Sequence, residues 1–485
     1  MSDSAAAGAC PGSITPSRPV GGEQSFGRHQ PGPRKDPRIA ARIPADMRIL
    51  LITAGAADMY CGSCLRDNAL ARALMAMGHD VTLAPVYTPT RVDVENVSQS
   101  RVLFGGVSVY LQQAAALFRH TPWVSDKLWD STAFLSLVSK RSIHVDAGSL
   151  GALTVSTLLG EQGFQRKEIE KLVHWISTEP IYDIINIPNA LLIGLAAPIR
   201  RATGRPVCVT LQGEDLFLDA LPEADRERAE GLIREHAAGV DLFVSVSEYY
   251  KDYASRRFRI PADRIMVAPL GVSTEDLVPG GRTRIQSDPF VVGYFARVAP
   301  EKSLHLLAEA YRILRHDRGL PPSRLEAAGY LSTEHRPYLA TIEANMAAWG
   351  LRDEFHYHGT LDRTQKIVFL RNLDVFSVPS MYVEPKGLYL LEAMSTGIPV
   401  VAPNHGSMQE MVERTGGGLL VTPNDTASFA DGLMAIREHP DQAREMGLRG
   451  AAGVREHYTE QQMATRALAA YETALNPSGA ASVST

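Results

Sequence analysis

Two series of short, unbroken apolar runs alternate with helix-period segments along the chain, and one series gives way to the other near residue 275. The first series comprises "MRILLIT" (47–53), "DVTLAPV" (80–86), "YDIINI" (182–187), "PVCVTL" (206–211), "DLFVSV" (241–246) and "RIMVAP" (264–269). A strand with one wet face alternates apolar and polar positions. These runs do not alternate, so they predict parallel strands covered on both faces. Between the first two lies "LRDNALARALMAMG" (65–78), where Leu65, Leu70, Leu74 and Met77 recur at helical spacing and Gly78 supplies a stop. Strand, helix and strand in this order form a right-handed β-α-β unit, whose ligands collect at the carboxyl ends of the strands.

The second series is "FVVGYFA" (290–296), "RLEAAG" (324–329), "EFHYHG" (354–359), "DVFSVPS" (374–380), "IPVVAP" (398–403) and "GGLLV" (417–421), again with helical patterns between the runs. The stretch "EDLVPGGRTRIQSDP" (275–289) has the Pro, Gly and charge density of a linker. The predicted architecture is therefore α/β, with two parallel-sheet domains at 47–275 and 276–455 whose strand ends face each other across a cleft. A helix at 456–476 has no strand after it and is expected to return to the first domain. Residues 1–46 are rich in Ala, Gly, Pro, Ser and Arg and read as a disordered extension, neither secretory signal nor transit peptide, with a short disordered tail at 477–485.

Composition narrows the setting. The chain has 485 residues, 45% hydrophobic and 21% charged, with a formal net charge of −5, so no global positive field argues for nucleic acid. Its longest apolar stretches fall well short of the roughly 20 residues of a membrane span. Contact with a membrane surface stays compatible with Trp123 and Trp129, which lie among Arg119, Lys127, Lys140 and Arg141; an acceptor-sugar contact or an amphipathic lid fits them equally. Four cysteines are too few for a disulfide framework, and a cytoplasmic setting is expected. Oligomeric state is not encoded in any pattern found.

The chemistry concentrates in "YVEPKGLYLLEAMSTGIPVV" (382–401). A helix starting near Gly387 offers free backbone N–H groups at Gly387 and Leu388, a ready phosphate site. Glu392 then lies roughly 7 to 8 Å further along the axis, and Glu384 lies on the loop before the helix. Carboxylates accept hydrogen bonds from hydroxyls and repel phosphate, so two acids flanking an anion site suit a diphosphate with a sugar at each end. Arg297 and Lys302, after the first strand of the second domain, supply cations for that diphosphate. Leu304, Leu307, Tyr311 and Leu314 on the helix that follows are expected to face the core.

The stretches "FARVAPEK", "VPSMYVEPKGLYLLEAMSTGIPVVA" and "GGGLLV" together closely resemble the retaining nucleotide-sugar glycosyltransferases of family four, which have the GT-B fold of two facing Rossmann-like domains. The resemblance covers 47–475. It implies that Glu384 contacts donor-sugar hydroxyls, that Glu392 holds the ribose and that Arg297, Lys302 and the amides at Gly387 and Leu388 bind the diphosphate. It further implies that the Gly359 turn cradles the base and that Gln212 and Glu214, in "VTLQGEDLFLDAL", lie on the acceptor or sugar side. Gln212 departs from the histidine common at that position, and Lys386 from Phe or Cys. Lys386 either adds a cation near the diphosphate or points to water. The implied partners are a nucleotide-sugar donor and a carbohydrate or lipid acceptor, with neither cofactor nor metal.

Rival readings remain at this stage. Residues 104–142 loosely resemble the acceptor region of glycogen and starch synthases; a nucleotide-sugar epimerase shares the fold, and a non-catalytic nucleotide-sugar sensor would bind without turnover. The pair in "YCGSCLRDN" could be a redox or zinc motif, but is read here as a loop in which Gly62 lets the backbone approach a ligand, the thiols of Cys61 and Cys64 being incidental. "HYH" (356–358) reads as strand positions that pack or meet solvent.

Overall fold

In a computed structural model, the described residues are 46–55, 61–100, 102–103, 147–280 and 289–476. The expected extension apart from Asp46, the tail at 477–485, the tryptophans at 123 and 129 and the 104–142 segment lie outside them.

All twelve apolar runs form strands, in two six-stranded parallel sheets. The first sheet holds β1 (Arg48–Thr53), β2 (Asp80–Pro85), β3 (Ile184–Ile187), β4 (Val207–Leu211), β5 (Leu242–Ser245) and β6 (Ile265–Val267), in the order β2-β1-β3-β4-β5-β6. The second holds β7 (Val291–Phe295), β8 (Arg324–Ala328), β9 (Phe355–Tyr357), β10 (Val375–Ser377), β11 (Val400–Pro403) and β12 (Gly418–Val421), in the order β12-β11-β10-β7-β8-β9. Strands β4, β5, β10 and β11 are buried at every position, which is why their sequences run apolar without alternation.

In each sheet the direction of winding reverses once, between β1 and β3 in the first and between β7 and β10 in the second. Strands adjacent at such a reversal splay their following loops apart and open a crevice at their carboxyl ends. The loops after β7 and β10 carry Arg297, Lys302 and Glu384.

Helices fill both faces of the sheets. Gly62–Ala76 begins three residues before the expected start because Cys61 takes an extended conformation (φ −108°) and acts as N-cap. Leu304–His316 buries Leu304, Leu307, Tyr311 and Leu314 as its periodicity predicts. The final helix, Glu460–Leu475, lies on the first sheet, where Met463, Ala467, Leu468 and Tyr471 join a core with Ile49, Leu51, Leu70 and Val244. Among the described residues no helix is long and apolar enough to cross a membrane.

Candidate functional site

A cavity of about 380 Å³ opens between the two sheets. Its wall includes Arg297, Lys302, Glu384, Lys386, Gly387, Leu388 and Glu392 from the second domain and Gly62 from the first. Eight of the sequence-derived site residues thus share one cavity. Gly359 does not line it, although Thr360 beside it does; Gln212 and Glu214 do not, although Gly213 between them does.

The loop after β7 makes one 3-10 turn, Pro300–Lys302, and ends at Ser303 in the left-handed region (φ 57°). Ser303 Oγ accepts from Met381 N–H at 3.1 Å, and Ser380 Oγ donates to Glu301 O at 3.1 Å, so the β7 and β10 loops are sewn together. Lys302 Nζ consequently pairs with Glu384, whose side chain is 5% exposed. Ser380 Oγ also lies 3.1 Å from Glu384 Oε1. The Lys302 ammonium stands 5.5 Å from the centre of the Tyr389 ring, and burial together with the Glu384 charge holds the Tyr389 phenol well above its usual range. Arg297 is nearly half exposed and pairs with Glu301 at 2.5 Å, so its guanidinium can swing toward an anion in the cavity without leaving a buried partner behind.

A second clamp holds Glu384 from below. Ser407, in the helix Gly406–Thr415, donates its backbone N–H to Glu384 O at 2.8 Å and its hydroxyl to Lys386 O at 2.7 Å. Gly406 makes this approach with φ +60°, and a Cβ there would stand 2.7 Å from Glu384 O. Gly387 is the N-cap of Leu388–Ser395 and lines the cavity with Leu388, so the start of that helix, where backbone amides lack intrahelical partners, lies at the cavity wall.

Glu392 has a partner that its sequence context did not reveal. Lys366 Nζ contacts Glu392 Oε1 at 2.5 Å and Asp93 Oδ2, from the first domain, at 2.5 Å. Burial works against the Lys366 charge, but Glu392 and Asp93 outweigh it and hold the ammonium above its usual range. Both Lys366 and Asp93 line the cavity. "RTQKIVFLR" reads as an exposed amphipathic helix, and the one available signal was the Asp362–Gln365 capping box that fixes where this helix starts.

Further contacts join the domains around the cavity. Tyr382 OH donates to Asp215 at 2.7 Å, Lys386 Nζ to Ser63 Oγ at 2.7 Å and Ser247 Oγ to Pro385 O at 3.1 Å. Lys386 therefore points across the cleft at the loop of the first domain and not into water. Glu410 accepts from Glu248 N–H at 3.1 Å and from Tyr249 N–H, which caps the helix Glu248–Phe258 from the opposite domain.

Gln212 and Glu214 are buried and bonded within the first domain. Gln212 Nε2 donates to Pro188 O at 2.6 Å, and the Glu214 carboxylate accepts from Ala190 N–H at 3.0 Å, Gly213 N–H at 3.1 Å and Tyr250 OH at 2.7 Å. These bonds tie the loops after β3 and β4 together. Burial pushes the Glu214 carboxyl above its usual range, against those hydrogen bonds. The motif position foretold the loop but not the direction of its side chains. Glu214→Gln turns an amide NH₂ toward backbone N–H groups that only donate, so a loss of about 2 kcal/mol in denaturant unfolding is expected. Wild-type stability would assign Glu214 no such anchoring role. His356 and His358 both face Glu326 of β8, at 3.6 and 2.5 Å.

Two doubly wound sheets meeting at a cleft, with cations and a helix start on one wall, define a GT-B glycosyltransferase architecture. The comparisons agree. Residues 281–452 match the family model of glycosyl transferases group 1, and residues 68–271 match that of the glycosyl transferase 4-like domain. The chain belongs to this family of glycosyltransferases. It is 27% identical over 273 residues to the GDP-mannose-dependent alpha-(1-6)-phosphatidylinositol monomannoside mannosyltransferase of Mycobacterium tuberculosis, a match spanning 53% of this chain and 67% of that enzyme. Sucrose-phosphate synthase from Thermosynechococcus elongatus has a similar fold, with a TM-score of 0.64 at 21% identity over 88% of this chain and 98% of that one. Anabaena HepE, solved in complex with UDP, superposes with a TM-score of 0.60 at 17% identity, over 86% of this chain and 97% of that one.

Proposed function

We propose that the chain transfers a hexosyl group, with retention of anomeric configuration and without a metal ion, from a nucleoside diphosphate sugar to an acceptor hydroxyl of a glycan, lipid or small molecule. The observation that carries this reading is the Lys302–Glu384 pair at the winding reversal of the second sheet, with Arg297 and the amides of Gly387 and Leu388 on the same cavity. A departing diphosphate gains negative charge in the transition state, and fixed cations and amides stabilise it without rearranging. Glu384 accepts from sugar hydroxyls and Glu392 from the ribose. The Mycobacterium tuberculosis relative is named for GDP-mannose and the Anabaena protein was solved with UDP, so both bases belong in a donor screen.

Incubation with UDP-, GDP- and ADP-sugars is expected to release nucleoside diphosphate from one of them in the presence of a hydroxyl acceptor, and NMR of the product is expected to show the donor's anomeric configuration retained. Interconversion of the donor sugar with no nucleotide released would replace this reading with epimerisation. Glu392→Ala is expected to raise the donor KM by about 10-fold or more while leaving kcat nearly unchanged, the signature of lost ground-state binding. A fall in kcat with KM unchanged would take the ribose role away from Glu392.

A further inference from the structure

Cys61 and Cys64 bracket the loop by which the first domain enters the donor cavity. Cys61 is the N-cap of the helix Gly62–Ala76 and lines the cavity; Cys64, in the first turn of that helix, is fully buried behind it. Both cysteines are free thiols. Between them, Ser63 Oγ accepts from Lys386 Nζ at 2.7 Å, and Gly62 sits against Leu388. The donor loop of the second domain therefore rests on the residues that the two cysteines enclose.

We propose that Cys61 and Cys64 form an oxidisable dithiol, a modification site for low-molecular-weight disulfides, whose closure weakens donor binding. Two cysteines three apart at a helix start lie at the i, i+3 spacing that brings side chains together, and the N-terminal amides of the helix favour a thiolate at the cap. The surroundings separate the roles of the two sulfurs. The hydrogen bond from Cys64 pulls the Cys61 thiol well below its usual range, against burial, and Lys386 adds to the pull. Cys64 is pushed up by the same hydrogen bond, by burial, by the charge of Cys61 and then by that of Asp67. Asp67 is itself buried beside Arg66 at 3.1 Å. Cys61 is thus the attacking sulfur and Cys64 the resolving one. Cys208, buried in β4, has no cysteine beside it in sequence and takes no part.

The exchange runs in two steps. The Cys61 thiolate attacks one sulfur of oxidised glutathione; that S–S bond breaks, one glutathione leaves as thiolate and takes up a proton, and Cys61 carries a mixed disulfide. Cys64 then attacks the Cys61 sulfur while its proton passes to the departing glutathione sulfur, and the second glutathione leaves as thiol. Two protein thiols are oxidised to one disulfide, and one glutathione disulfide is reduced to two thiols. Closure removes the negative charge that faces Lys386 and draws the 61–64 loop inward, away from the donor loop.

The effect on donor binding rests on the proposed function, whereas the thiol chemistry does not. Native protein treated with oxidised glutathione is expected to yield a tryptic fragment cross-linked between Cys61 and Cys64, reversed by dithiothreitol. Cys64→Ala is expected to stop at a glutathione adduct on Cys61. Nucleotide release by the oxidised protein is expected to show a donor KM about 10-fold higher, the weight of one hydrogen bond to a charged group, with recovery on reduction. Absence of both the cross-link and the trapped adduct overturns the proposal, and so does a cross-link that leaves KM unchanged. Reduced protein that exchanges thiols but releases no nucleotide from any donor would instead count against the transferase reading.

Discussion

Arg297→Ala combined with Lys302→Ala is expected to lower kcat/KM for the donor by at least about 10³-fold, since one fixed donor aimed at developing charge is worth 10²–10³ and two are removed. The two side chains differ in what their loss does to the fold. Arg297 is nearly half exposed and pairs with Glu301, so its truncation is expected to leave stability almost unchanged. Lys302 is the partner of Glu384, which is only 4% exposed, and its removal strands a buried carboxylate at a cost of about 3 kcal/mol. The rate should therefore be read on protein whose thermal unfolding has been checked. A folded double variant with near-normal turnover would remove both cations from the mechanism.

Gly406→Ala is expected to lower kcat by about 10²-fold without touching a substrate, the penalty that an ångström of misplacement imposes on a reacting geometry. The new methyl would stand 2.7 Å from Glu384 O and 3.1 Å from Glu384 N, and neither backbone atom can yield without carrying the carboxylate with it. The left-handed backbone at this position adds about 1 kcal/mol of strain. Because Glu384 and Lys302 move as a pair, both kcat and the melting temperature should fall. Undiminished turnover in a destabilised Gly406→Ala protein would mean that the position of Glu384 does not limit the rate.

The architecture was legible because parallel strands buried on both faces leave short apolar runs, which here alternate with helix-period segments. Arg297, Lys302, Glu384 and Glu392 were legible because each lies a short, fixed distance along the chain from a strand end or helix start. What stayed hidden depends on contacts between segments far apart in sequence. Lys366 pairs with Asp93 across 273 residues, and Tyr382 reaches Asp215 across 167. No local pattern marks such partners. Gln212 and Glu214 show the complementary limit: the loop that carries them is legible, but not the contacts that turn them inward, Pro188 O accepting from the Gln212 amide and Ala190 N–H and Tyr250 OH donating to the Glu214 carboxylate. The contact of Lys386 with Ser63, inside "CGSC", spans more than 300 positions and is hidden for the same reason.

The last helix has a mechanical consequence. It returns to the first sheet alongside the segment by which the chain leaves that sheet: Val272 N–H donates to Tyr458 O at 2.9 Å, and Val272 bridges Thr459 in parallel. Two crossings fastened side by side act like a door hung on a pair of hinges. Such a pair of fastenings resists twist and slide between the halves and so helps hold Ser63 in line with Lys386 and Asp93 with Lys366.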